Sequence, residues 1–177
     1  MKVFITASSG VGKSAVINEL KVRGRTAYDA DDHKLHLTRL EVRETCQPVE
    51  WPEGFVDWHY YSWNANEQRL QELLASDETV FICGFLGNQE KLYHYFDKLV
   101  ALSVHPDEHK RRLLNRPKRD VGDGDQNNLR RLAKYPEHMA KFKATGFVVI
   151  DNSGPINHTV NQIEKLAGLV NKDRKGS

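Results

Sequence analysis

The sequence predicts an α/β domain, a parallel sheet with helices on both faces. Short apolar, β-prone runs recur along the chain and alternate with longer stretches of helical periodicity. The first run, Lys2-Val3-Phe4-Ile5-Thr6, leads straight into Ala7-Ser8-Ser9-Gly10-Val11-Gly12-Lys13-Ser14. That segment fits the phosphate-binding pattern G-x-x-x-x-G-K-[ST], with alanine in the first glycine's place. The bulk of the chain fits one domain with a real core: 177 residues, 28% of them charged, with a mean hydropathy of −0.63.

Composition excludes several classes. No apolar run approaches the length of a membrane span, and the first strand is too short to serve as a signal peptide, so a cytoplasmic protein is expected. The two cysteines, Cys46 and Cys83, are far apart and lack metal-binding spacing, which suits a reducing compartment. A net charge of +2 argues against nucleic acid as the main partner. A single domain over 1–170, monomeric or homodimeric, is expected, with 171–177 as a flexible tail.

The opening strand is followed by a loop and then a helix marked by Val16, Ile17 and Leu20, with Gly24 at its stop. A triphosphate needs many donors at once. Backbone N–H groups of Ser8, Ser9, Gly10, Val11, Gly12, Lys13, Ser14 and Ala15 are expected to supply them, as loops at helix N-termini do. Lys13 brings a point charge to the outer phosphates, and the Ser14 hydroxyl is the expected Mg²⁺ ligand. A second strand over 25–29 runs into Asp29, Asp31 and Asp32. In parallel sheets ligands bind at the carboxyl ends of strands, so Asp29 and Asp31 are functional candidates, while Asp32 reads as a helix N-cap.

His33 to Cys46 is expected to be a helix, with Leu35, Leu37, Leu40 and Val42 as its apolar positions. His33 and His36 read as surface or core histidines, since no third metal ligand is evident. All three tryptophans fall in Trp51 to Trp63, a stretch read either as an aromatic binding wall or as a small satellite core. A helix is expected over Asn64 to Ala75, then a third strand over 79–83 ending in the glycine-rich Gly84-Phe85-Leu86-Gly87. The amides of Gly84 and Gly87 are either offered to a ligand or spent in a tight turn. A fourth strand over 98–104 precedes a helix with Pro106 in its first turn. A basic run follows from Lys110 to Arg119. Gln126 to Thr145 is expected to be helical, with Leu129, Leu132, Met139 and Phe142 forming its apolar stripe. A fifth strand over 147–151, the loop Asp151-Asn152-Ser153-Gly154-Pro155 and a closing helix from Ile156 complete the chain.

The phosphate loop followed by Tyr28-Asp29-Ala30-Asp31 resembles the small P-loop kinases: shikimate kinase, gluconate kinase and the adenylate kinase group. The resemblance implies the P-loop NTPase fold with strand order 2-3-1-4-5, an acceptor-binding segment over 33–75 and a lid over 112–128. It implies Asp29 as magnesium support or base, and Asp31 as the residue that meets the acceptor. In the resembled kinases the segment over 33–75 closes over the acceptor, so Trp58 and Tyr61 of its aromatic stretch are candidates to stack on a flat or ring-shaped acceptor, with Gly84 and Phe85 after the third strand as further candidates. Cys83 stands where adenylate kinases carry an aspartate. The run from Lys110 resembles their L-x-x-R-x-x-x-R lid, which implies Arg116 and Arg119 on the transferring phosphoryl group. Arg112 is expected toward solvent or the base. Arg131 and Tyr135 loosely echo an arginine–tyrosine pair of shikimate kinase. Asn152, Gly154 and Pro155 resemble the D-N-x-G-P loop that borders adenine.

The expected activity is therefore ATP- and Mg²⁺-dependent phosphoryl transfer to a small molecule: a hydroxyl of a nucleoside or ring alcohol, or a nucleotide. The rival reading is a nucleotide-gated binding protein or slow ATPase working with RNA or a protein partner, with Trp51 to Trp63 as its docking surface.

Overall fold

The computed structural model describes residues 1–50, 59–115 and 125–169. In chain order its elements begin with β1 (Lys2–Thr6), α1 (Lys13–Val22), β2 (Thr26–Asp29), β3 (Thr38–Val42), β4 (Pro48–Val49), β5 (Tyr61–Ala65) and α2 (Glu67–Leu74). They continue with β6 (Val80–Cys83), β7 (Lys98–Ser103), α3 (Pro106–Leu114), α4 (Asp125–Ala144), β8 (Val148–Asp151) and α5 (Ile156–Leu166). Short 3₁₀ segments lie at His33–Leu35 and Gln89–Tyr95.

The main sheet has the order β2-β6-β1-β7-β8, all parallel. Counting only its own strands along the chain, this is 2-3-1-4-5, as expected. β6 is buried at every position, Val80-Phe81-Ile82-Cys83, as a strand covered on both faces must be. On one face Val3, Ile5 and Phe81 meet Val16, Ile17 and Leu20 of α1 and Val160 and Ile163 of α5. On the other, Phe4, Val80 and Ile82 meet Leu70 of α2, Leu92 and Phe142 of α4. The buried Glu164 carboxylate fixes α5: it accepts from Arg23 Nη1 at 2.7 Å and from Arg25 Nε at 2.6 Å. One acid thus ties the last helix to the end of α1 and the approach to β2.

The chain departs from expectation between β2 and α2. The expected helix over His33 to Cys46 is absent. In its place a 3₁₀ turn leads into β3, the centre of a second, antiparallel sheet of order β4-β3-β5. The segment Thr38-Arg39-Leu40-Glu41-Val42 alternates with period two and carries two β-branched residues, and that pattern prevails over helical leucine spacing. Cross-strand pairs set the register, Arg39 opposite Asn64, Leu40 opposite Trp63 and Glu41 opposite Ser62. The helix expected from Asn64 starts at Glu67. Asn66 is its N-cap, accepting from the Arg69 amide, and the residues before it belong to β5.

On α4 the expected stripe holds at Phe142, which is buried, and at Met139, which packs against both apolar clusters, but Leu129 is 62% exposed and Asn128 and Tyr135 are buried beside the stripe. The polar side chains that reach inward meet backbone that needs hydrogen-bond partners. Tyr135 Oη, for example, bridges the N–H and the C=O of Val104 at 2.8 and 2.9 Å.

Candidate functional site

β1 ends against the phosphate loop, and its central place in the sheet puts that loop between the carboxyl ends of β6 and β7. Gly10 and Gly12 have φ of +84° and +107°, conformations that side chains rarely adopt. A Cβ on Gly10 would lie 2.7 Å from Leu113, and one on Gly12 would lie 2.6 Å from the Asn152 amide nitrogen. The turn is thus held from outside by α3 and by the loop after β8. α1 opens with the Ala15 and Val16 amides both bonded to the Gly12 carbonyl. Lys13 folds back so that its ammonium donates to the Ala7 carbonyl at 2.8 Å. Ser14 is exposed at the helix start.

Of the acids expected at the end of β2, Asp29 lies within the field of this lysine, with Asp31 beside it. Asp29 lies opposite Cys83 in register, and both sense the Lys13 charge. Burial raises the Asp29 carboxyl above its ordinary value, and the Asp31 backbone N–H, donating to Asp29 Oδ1 at 3.0 Å, works against that rise. Asp31 Oδ1 accepts from the Trp63 indole at 3.1 Å, so β5 of the small sheet is joined to the acid cluster. The helix that Asp32 is expected to cap is absent, and its side chain instead accepts from the Lys34 amide at 3.0 Å in the short 3₁₀ turn. Cys83 is buried beside the carbonyl of Lys13, and burial pushes its thiol far up, so it sits as a neutral wall.

The turn after β6 is spent on structure. The Gly84 amide donates to the Ile5 carbonyl at 3.0 Å, and the Gly87 amide to the Trp63 carbonyl at 2.7 Å. Their expected role as amide donors to an acceptor is therefore corrected. Gly84 is there because a Cβ would meet that of Ala30 at 2.6 Å. Asn88 extends the turn by mimicking a strand, exchanging two hydrogen bonds with the backbone of Ala65. Against Gly87 lies the polar face of the small sheet, where Ser62 donates to Asn64, and Asn64 and Arg39 donate to the two oxygens of buried Glu41. Tyr61 sits on β5 opposite Val42, and Phe85 is exposed.

Four side chains hold the loop from the far side. Arg112, expected toward solvent or base, is half-buried: it pairs with Glu108 and donates to the Val11 and Asn152 carbonyls at 3.0 and 2.9 Å. Asn152 also donates its amide to the Val11 carbonyl at 2.8 Å and accepts from Thr159. Gly154 and Pro155 lie exposed beyond it. His109, fully buried, holds the Ser9 carbonyl through Nε2 at 2.7 Å, and its Nδ1 has no hydrogen-bond partner among the described residues. His138 Nδ1 lies 2.9 Å from the Ser8 hydroxyl. The sequence reading missed both histidines. For His138 the available signal was helical spacing: Asn128, Arg131, Tyr135, His138 and Phe142 recur at three and four, one face of a helix. Trp58, Arg116, Arg119 and the tail lie outside the described residues, as does most of the expected lid.

No protein-family model matches the chain. It is 23% identical over 175 residues to ribose 1,5-bisphosphate phosphokinase PhnN of Pseudomonas fluorescens (strain SBW25), with 91% of each chain covered. Shikimate kinase from Bacteroides thetaiotaomicron superposes with a TM-score of 0.56 at 19% identity, covering 96% of this chain and 99% of that one. Shikimate kinase from Acinetobacter baumannii, solved in complex with shikimate, gives 0.59 at 18% identity over 98% and 95%. The P-loop fold read from the residues is thereby established.

Proposed function

We infer, from the premise that this chain is a small P-loop kinase, that it transfers the γ-phosphoryl group of ATP to a small-molecule acceptor. The carrying observation is that Asp29, with Asp31 beside it, lies close enough to Lys13 to sense its charge, on a loop whose two glycines adopt positive φ.

In this reading the loop amides and the α1 N-terminus cradle the phosphates. The Lys13 ammonium, now on the Ala7 carbonyl, swings to the outer phosphate oxygens. The donor set suits magnesium, since the Ser14 hydroxyl and the Asp29 carboxylate are hard oxygen ligands on one side of the loop. Ser14 would hold the ion directly and Asp29 through water; when bound, the ion neutralises charge on the phosphates. The acceptor hydroxyl is oriented by Asp31 and attacks the γ-phosphorus. Its proton passes to the Asp29 carboxylate, and the bond from phosphorus to the ADP oxygen breaks. Arg116 and Arg119 are the proposed lid donors to the transferring group, and Arg112 and Asn152 shape the loop on the base side, with Gly154 and Pro155 bordering the base.

The segment over 33–75 is the proposed acceptor site. Its Asp31–Trp63 contact and its buried polar face support a polar ring acceptor that lies against Trp58, Tyr61 and Phe85. Both a hydroxyl and a phosphate are open as the accepting group, the latter because the relative PhnN is named for a phosphorylated sugar.

The test is a metabolite pool incubated with protein, ATP and magnesium, and read by mass spectrometry for an added phosphate. Transfer that disappears in Lys13→Ala supports the reading. ATP turnover indifferent to every metabolite but raised by RNA or a protein overturns it.

A further inference from the structure

Three parts of the molecule meet at one imidazole that the transfer chemistry above does not use. His138 comes from α4, its Nδ1 sits 2.9 Å from the Ser8 hydroxyl in the phosphate loop, and its ring lies 5.2 Å from that of Phe85 in the turn after β6. Ser8 is 3% exposed, so this hydroxyl is turned into the protein rather than toward a nucleotide. One residue on, His109 of α3 holds the Ser9 carbonyl. Consecutive residues at the start of the loop are thus gripped by α3 and α4, the two helices from which the segment proposed as the lid, 112–128, is reached.

We propose that His138 is a positioning residue: by holding the Ser8 hydroxyl it sets the nucleotide-binding shape of the phosphate loop and couples that shape to the position of α4. The inference rests on the kinase reading, because the ligand it concerns is ATP. The contact is made by a neutral ring when Nδ1 accepts from Ser8 Oγ–H and Nε2 carries the proton. Burial favours that state, pulling the imidazole below its ordinary value, with Lys134 and Lys141 acting in the same sense against Glu137. Without the ring, the Ser8 hydroxyl loses its side-chain partner among the described residues, and the loop loses the one of its four holding side chains that acts on its first turn from α4.

The test needs no acceptor. ATP with magnesium is titrated calorimetrically into wild type, His138→Ala, His138→Asn, Ser8→Ala and the double variant His138→Ala/Ser8→Ala, with thermal melts alongside. His138→Ala and Ser8→Ala are each expected to weaken ATP binding about fivefold, the worth of one hydrogen bond. The double variant is expected to be no weaker than either single one, and His138→Asn, whose side-chain oxygen replaces Nδ1, is expected to return to within about twofold of wild type. Unchanged affinity in both single variants, additive losses in the double, or an asparagine no better than alanine would overturn the proposal. Where His138→Ala does not fold, Ser8→Ala and His138→Asn decide alone: unchanged affinity in the first, or loss in the second, overturns it. A wild type that binds no ATP overturns the kinase reading, and this proposal with it; a wild type that binds while its variants bind equally overturns this proposal alone.

Discussion

Lys13 and Asp29 sit in one small volume but carry separable tasks. Lys13→Ala removes the only side-chain charge of the loop and is expected to reduce transfer on the order of a hundredfold or more, measured with whichever acceptor the metabolite screen identifies. Asp29→Asn keeps the oxygen that accepts the Asp31 amide but cannot take a proton, so the transfer rate should fall while calorimetric ATP affinity stays near wild type. His109 gives the pH prediction. Burial lowers its imidazole below the ordinary value, and the Arg112 charge adds to that. The unfolded chain therefore binds the proton more readily than the folded one. Stability is full above the unfolded value of about 6.5 and is lost as pH falls through it toward the lower folded value. Melting temperature should drop across that window, and His109→Gln, which retains a donor for the Ser9 carbonyl, should flatten the drop.

The elements differ in how openly they were written. β1, the loop and α1 follow from a local pattern: an apolar run, two glycines at fixed spacing and a helix face. β6 and β7 follow from their continuous apolar runs. The small sheet does not, because Leu37 and Leu40 serve a helix face and a strand face equally well. Only pairing with β5, some twenty residues on, decides between them. The roles of Gly84 and Gly87 were hidden for a related reason: whether an amide is open to a ligand depends on the distant carbonyls of Ile5 and Trp63. At this scale packing supplies two predictions. Gly84→Ala forces a Cβ onto Ala30 and should destabilise by about 1–3 kcal/mol in urea unfolding. Glu164→Ala leaves Arg23 and Arg25 without their shared buried partner and should destabilise by about 3 kcal/mol by the same measurement.

Across the whole molecule the parallel sheet and the antiparallel insertion divide the work. The sheet carries the phosphate loop, while the insertion touches the sheet's end through Trp63 on Asp31, Ala65 on Asn88 and the Trp63 carbonyl on the Gly87 amide. Where those contacts lie was legible only in part, since Trp63 was read with its aromatic neighbours rather than as the partner of Asp31. The topology also has a consequence for how the protein is made. β1 is made well before its two neighbours, β6 and β7, which begin at Val80 and Lys98, and the helix that covers α1 begins only at Ile156. The nascent chain must carry Val16, Ile17 and Leu20 without that cover until α5 has been made, and the arginine–Glu164 latch closes no earlier. Chains stalled before that helix emerges are the ones a holding chaperone would meet.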